Sequence, residues 1–196
     1  MTGRRILILQ GHPDGGHRHL GHALAEAYAQ GAREAGHELR EVHVADLDFP
    51  LLRSQREWQH GSLPSGLHEA QQAIGWAEHI VLCFPLWLGD MPALLKGFLE
   101  QVARPGFAVR SEGDNPFAVK ALAGRSARVV VTMGMPALVY RHWFRAHSLR
   151  SLERNILGFV GIAPIRETLV GLVDRIDEAA ASKWFARMHR LGRDAQ

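Results

Sequence analysis

Phe84-Pro85-Leu86-Trp87-Leu88-Gly89-Asp90-Met91-Pro92-Ala93-Leu94-Leu95-Lys96-Gly97-Phe98-Leu99-Glu100 decides how the chain folds. The run that leads into it, Ile80-Val81-Leu82-Cys83-Phe84, is apolar at every position. That is the pattern of a strand covered on both faces, as in a parallel sheet. Pro92 suits the first turn of a helix, where a missing N–H is not needed. Leu94, Leu95, Phe98 and Val102 recur at helical spacing and form a face that can lie on the sheet. Pro85 to Met91 therefore join the carboxyl end of a strand to a helix, the place where open α/β sheets bind ligands. The loop offers backbone N–H groups, an indole and almost no charge, which suits a flat, uncharged aromatic ring.

On either side the chain alternates between strand and helix patterns. Arg5 to Gln10 reads as a strand that ends at Gly11. Gly11 to His19 is a loop of turn residues. Leu20 to Ala35 reads as a helix closed by Gly36, and Leu39 to Val44 as a second strand. Asp46 to Gly66 has no sustained period and reads as a long connection to a helix over Leu67 to Glu78. Arg104 to Ala123, with Pro105, Gly106, Gly113 and Pro116, reads as another long loop. Ala127 to Thr132 is a β-branched strand that ends in Met133-Gly134-Met135-Pro136. Tyr140 to Leu157 reads as largely helical, Ile165 to Leu172 as the last strand, and Asp174 to Leu191 as the closing helix.

Five strands separated mainly by helices predict an α/β fold with a doubly wound parallel sheet. The 196 residues fit a single domain over 1–196, with no internal repeat or linker. The apolar run Ile6-Leu7-Ile8-Leu9 is too short for a signal peptide or a membrane span. A single cysteine, Cys83, excludes an internal disulfide framework and fits a reducing, cytoplasmic setting. Its place in the apolar strand makes it a small core residue. Net charge is only +3, with Lys and Arg scattered, so nucleic acid is not an expected partner. There is no Gly-x-Gly-x-x-Gly after the first strand, no Walker lysine and no Gly-x-Ser-x-Gly elbow. His12, His17, His19 and His22 crowd the first loop, but their spacing fits no standard zinc motif, so no metal is expected. That loop runs straight into a helix, whose N-terminal amides and dipole favour an anion.

Phe84-Pro85-Leu86, followed by Pro92-Ala93-Leu94-Leu95-Lys96-Gly97-Phe98, resembles the signature of the flavodoxin-like NAD(P)H:quinone reductases, a group that includes the potassium-efflux ancillary flavoproteins. The resemblance runs from Ile6 to about Leu172. It implies a flavodoxin-like five-stranded parallel sheet in the order 2-1-3-4-5. In that order the loops after the first, third and fourth strands meet at the switch point. These are the three loops singled out above. The resemblance further implies a flavin-dependent oxidoreductase with NAD(P)H as electron donor and a quinone or similar small molecule as acceptor. FMN is the expected cofactor, with FAD close behind. Some relatives instead act as ancillary flavoproteins of membrane transporters, which is the alternative function. A homodimer is implied, with Phe107, Phe117, Trp143 and Phe144 in or beside the pairing segments.

Carried over residue by residue, the resemblance places His12, His17, Arg18 and His19 at the cofactor phosphate. The family more often has Ser or Thr where this chain has His17, and Asn where it has His19. Pro85, Leu86, Trp87, Leu88 and Gly89 line the flavin, with backbone amides from Trp87 to Gly89 toward its N5 and O4 edge. Thr132, Met133, Gly134 and Met135 stand where a Thr-Thr-Gly-Gly run is usual. Tyr140 stands at the catalytic tyrosine and also beside the flavin. The family pairs that tyrosine with a histidine. Ala146 holds the aligned position here, and His147 is its neighbour.

Overall fold

The computed structural model describes residues 3–112 and 115–196, with side chains described outside 111–118. Five parallel strands form the main sheet: β1 (Arg5–Gln10), β2 (Glu38–His43), β3 (His79–Pro85), β6 (Ser126–Thr132) and β7 (Ile165–Val170). Between β3 and β6 the chain adds β4 (Val109–Glu112) and β5 (Asn115–Lys120), which pair with each other. The strand order of the main sheet is β2-β1-β3-β6-β7, which is 2-1-3-4-5 when these five strands are counted alone. The flavodoxin-like, doubly wound arrangement expected from the sequence is the one observed.

Strand alternation sends side chains to two layers. Leu7, Leu9, Ile80, Leu82 and Phe84 point to the layer of α3 (His68–Trp76) and α4 (Ala93–Val102). Ile6, Ile8, Val81 and Cys83 point to the layer of α1 (Leu20–Glu34) and α7 (Glu178–Arg193). The β3 run is buried from His79 to Phe84, as a strand covered on both faces requires. Desolvation pushes the Cys83 thiol up to about 12, so it stays protonated and packs as a small apolar group. Gly31 of α1 and Gly192 of α7 let the two helices touch. A Cβ on Gly31 would sit 2.0 Å from the His189 carbonyl oxygen, and one on Gly192 would sit 2.0 Å from the Tyr28 carbonyl oxygen.

The structure departs from the sequence reading in two places and subdivides a third segment. Asp46 to Gly66 is not one irregular connection but contains α2 (Gln55–His60). Ser54 caps that helix by accepting from the Glu57 N–H at 3.1 Å. The buried Arg104 guanidinium donates to the Glu57 carbonyl at 2.7 Å and ties α2 to the end of α4. Arg104 to Ala123 is not a loop, because β4 and β5 lie within it and pair antiparallel. Tyr140 to Leu157 is largely helical, as expected, but in pieces: α5 (Ala137–His142) and α6 (His147–Ser151) are separate, and a π-helical turn over Leu152–Leu157 follows. Arg145 and Ala146 break the run with φ of 52° and 47°.

His79 opens β3 fully buried, its Nδ1 within 2.8 Å of Ser126 Oγ. Burial, with Arg4 and Arg128 nearby, lowers its pKa to about 3. The unfolded chain protonates this residue near about 6.5 and the folded chain does not. Its contribution to stability is therefore complete above that value and is lost as pH falls from there toward about 3. One proton taken up on unfolding is worth about 1.4 kcal/mol per pH unit. Urea midpoints measured from pH 7 to pH 4 should fall less steeply for His79→Asn than for wild type. Parallel slopes would contradict this placement of the proton.

Candidate functional site

Three loops leave the carboxyl ends of β1, β3 and β6 and are tied to one another through the backbone. Gly11 N–H donates to the Cys83 carbonyl at 2.7 Å, and Leu86 N–H donates to the Thr132 carbonyl at 2.8 Å. The His12 and Trp87 rings meet edge to face at 6.0 Å. Thr132 Oγ1 would lie 4.0 Å from a Cβ on Gly21, so the start of α1 faces the β6 loop. That loop is anchored in turn to the segment after β7, where Val173 N–H donates to the Met133 carbonyl and Leu172 N–H to that of Met135.

The first loop is organised around Asp14. One carboxylate oxygen accepts from Gly16 N–H at 2.9 Å; the other accepts from His19 Nε2 at 2.8 Å and His17 Nδ1 at 3.1 Å. The hydrogen bond from His19 does most to hold the Asp14 carboxyl below the usual carboxylate range. His12 is buried and stacks on His19 at 3.9 Å. Its Nδ1 accepts from Asp14 N–H at 3.1 Å, which assigns the ring proton to Nε2. Burial first, then His19 and His22, lower its pKa to about 4, so it is neutral at pH 7. Beneath it, Gln10 Oε1 accepts from His12 N–H at 3.2 Å. Gln10 Nε2 is buried and has no partner among the described residues. An orphaned buried donor and a set of imidazoles and amides suit an anionic, hydrogen-bond-accepting group. Of the other expected phosphate contacts, His17 is largely exposed and Arg18 is paired with Glu26.

In the second loop, Trp87 and Asp90 exchange both backbone hydrogen bonds, at 2.8 and 2.9 Å. Leu88 and Gly89 form the turn between them, with φ of 48° and 82°. Trp87 N–H is thus committed to Asp90, whereas the N–H groups of Leu88 and Gly89 have no partner among the described residues. Pro85 and Leu86 are half-buried, and Trp87 and Leu88 are exposed. A cavity of about 430 Å³ opens here between Trp87, Leu88, Met91, Lys96, Ser148 and Ile156.

In the third loop, Thr132 and Met133 are buried, Met135 is half-buried and Gly134 is exposed. The Met133 side chain packs into the core, and its N–H donates to the Val170 carbonyl at 2.9 Å. Tyr140 is buried. Its hydroxyl accepts from Leu149 N–H at 3.2 Å and shares a hydrogen bond with Ser148 Oγ at 2.7 Å. His147 is exposed at the start of α6, and Ser148 takes the place beside the phenol. Ser148, Asp14 and Gln10 were missing from the sequence reading. Asp14 carried a signal, since an Asx residue before two glycines bonds its own backbone two residues on. The other two carried none. Among the described residues no group of three or more His, Cys, Asp or Glu side chains is placed to hold a metal ion.

A family described as having a flavodoxin-like fold matches residues 4–191, and the chain belongs to it. Among individual proteins, the chain is 29% identical over 178 residues to an uncharacterized NAD(P)H oxidoreductase of Haemophilus influenzae, covering 89% of this chain and 87% of that one. It superposes on an NAD(P)H:quinone oxidoreductase of Methanothermobacter marburgensis with a TM-score of 0.79 and 26% identity, over 99% and 98% of the two chains. An FMN-dependent NADH-azoreductase of Bacillus anthracis, solved in complex with FMN, shares the fold with a TM-score of 0.75 over 98% and 99% of the chains, at 14% identity.

Proposed function

We propose that this chain is a flavin-dependent NAD(P)H oxidoreductase that passes two electrons to a quinone or similar acceptor. The observation that carries this reading is the backbone tie between three strand-end loops, together with the Leu88 and Gly89 amides, which have no partner among the described residues. Two relatives matched over 87% and 98% of their length, at 29% and 26% identity, are named as NAD(P)H oxidoreductases, which supports the same class. Bound flavin supplies the redox chemistry, accepting two electrons from a reduced nicotinamide and donating them to the acceptor.

In this reading the chain contributes binding, orientation and polarity. His12, His17, Arg18 and His19, with the first amides of α1, hold the cofactor phosphate. Leu88 and Gly89 present their N–H groups to the ring's polar edge, and Pro85, Leu86 and Trp87 cover its apolar area. Thr132, Met133, Gly134 and Met135 approach from the far side through the backbone. FMN is the preferred cofactor and FAD the second. The cavity bounded by Trp87, Met91 and Ile156 is apolar apart from a few groups such as Lys96 and Ser148, which suits a flat organic acceptor. Because Tyr140 can accept from both Leu149 N–H and Ser148 Oγ, its own proton is free to stabilise negative charge that develops on the ring. His147, one residue from Ser148, is the neighbouring exposed proton carrier.

Leu138 and Trp143 are 71% and 82% exposed, with Phe144 beside them, and this apolar patch is the pairing surface we assign to a homodimer. Phe107 is not part of it, because it packs against the core beside Gly75. Phe117 lies outside the described side chains. No helix among the described residues is long and apolar enough to cross a membrane.

Tyr140→Phe tests the catalytic assignment. The expected result is a roughly tenfold slower reduction of bound flavin by NAD(P)H in stopped flow, with flavin affinity kept. Leu149 N–H loses its partner, so the variant should also lose about 1–3 kcal/mol of stability. Unchanged reduction kinetics would remove Tyr140 from the reaction.

A further inference from the structure

The first loop already holds an anion of its own. The Asp14 carboxylate takes Gly16 N–H, His17 Nδ1 and His19 Nε2, all within 3.1 Å. Two of these donors are the imidazoles that the proposed function assigns to the cofactor phosphate. We propose that Asp14 is a specificity determinant: its carboxylate competes with the flavin phosphate for the same donors, and so lowers this chain's preference for phosphorylated over phosphate-free flavin. The proposal rests on the flavin reading above.

Three features support it. The carboxylate is ionised throughout the working range, because its hydrogen bonds favour the charged form. A phosphate dianion that reached His17 and His19 would bring like charges to within contact distance of that carboxylate. The donors cannot serve both at full strength, since each imidazole offers one N–H on the side that faces Asp14. The rest of the site does not share this conflict. Gln10 Nε2 is buried at the base of the loop and has no partner among the described residues. His12 is neutral, with its ring proton on Nε2. Asp14 thus takes up only part of an otherwise receptive site. Its side chain is 39% exposed, so it has solvent to turn into once released.

The experiment compares FMN and riboflavin binding to the full chain, as wild type and as Asp14→Asn, by fluorescence quenching. Asparagine keeps an acceptor for Gly16 N–H and removes the charge. Asp14→Asn should bind FMN roughly tenfold more tightly than wild type, a gain limited by solvent screening. Riboflavin affinity should stay within about twofold, and it also reports that the fold survives. His19→Gln should weaken FMN binding, and in that background the gain from Asp14→Asn should shrink, because a shared donor has gone. Two results overturn the proposal while leaving the flavin reading intact: weaker FMN binding in Asp14→Asn, or an equal change for FMN and riboflavin. The first would make Asp14 a residue that positions the imidazoles for phosphate. If neither protein binds either flavin, the functional reading fails and the proposal fails with it.

Discussion

Gly192→Ala should destabilise the protein by about 3 kcal/mol or more, beyond the usual range for one added methyl group. The reason is where α7 crosses α1. The new Cβ would stand 2.0 Å from the Tyr28 carbonyl oxygen and 3.0 Å from the Ala32 nitrogen. Both are backbone atoms of a helix, so no side chain can rotate away. The helices must separate, and separation opens the layer that contains Tyr28, Leu24 and Met188. Gly36→Ala is the comparison. Gly36 ends α1 with φ of 80°, and a Cβ there meets nothing within 4 Å. It should lose only about 1 kcal/mol, the ordinary cost of placing alanine in the left-handed region. Urea denaturation of both variants separates the two effects. Equal losses would mean that the α1–α7 crossing is not as tight as described.

Leu88→Pro should abolish flavin binding, whereas Leu88→Gly should leave it nearly intact. Leu88 is fully exposed, so its side chain contributes no packing that the fold needs. Its value lies in the backbone. It holds φ at 48° and, with Gly89, keeps an N–H group that has no partner among the described residues at the rim of the cavity. Proline removes that N–H and requires φ near −65°, which breaks the turn between Trp87 and Asp90. Glycine keeps the N–H and adopts the same φ without strain. The expected contrast in flavin affinity is at least about a hundredfold, roughly the worth of two hydrogen bonds and their alignment. Isothermal titration would read it directly. Similar affinities in the two variants would show that this turn does not hold the ring.

The central layer was legible because its residues are extreme. Ile80 to Phe84 and Val129 to Val131 are apolar at every position, and only a strand covered on both faces uses such runs. Glycines and prolines misled where they punctuate structure rather than end it. Pro105 and Gly106 precede β4 and Pro116 lies within β5, and these residues hid a pairing in which Val109 meets Lys120. The short α2 did carry a signal, since Ser54-Gln55-Arg56-Glu57 has the spacing of a helix-capping box, but six residues are too few to show a period. The break at Arg145 and Ala146 left no trace, because neither residue type favours the left-handed region it occupies.

The site followed the same division. Its three loops could be found from strand ends and turn residues. The work of individual side chains could not, because it is set by tertiary contacts. Met133 turns into the core, Trp87 N–H is spent on Asp90, and Ser148 rather than His147 meets the Tyr140 hydroxyl. Orphaned Gln10 Nε2 is invisible until β1 and its neighbours are assembled.

Flavin binding is read most simply from the absorption spectrum of the purified protein, followed by titration with FMN and FAD and identification of any flavin released on denaturation. The purified protein should be yellow, or should take up a single flavin per chain, with FMN preferred. A colourless protein that binds neither flavin at micromolar concentration would contradict it.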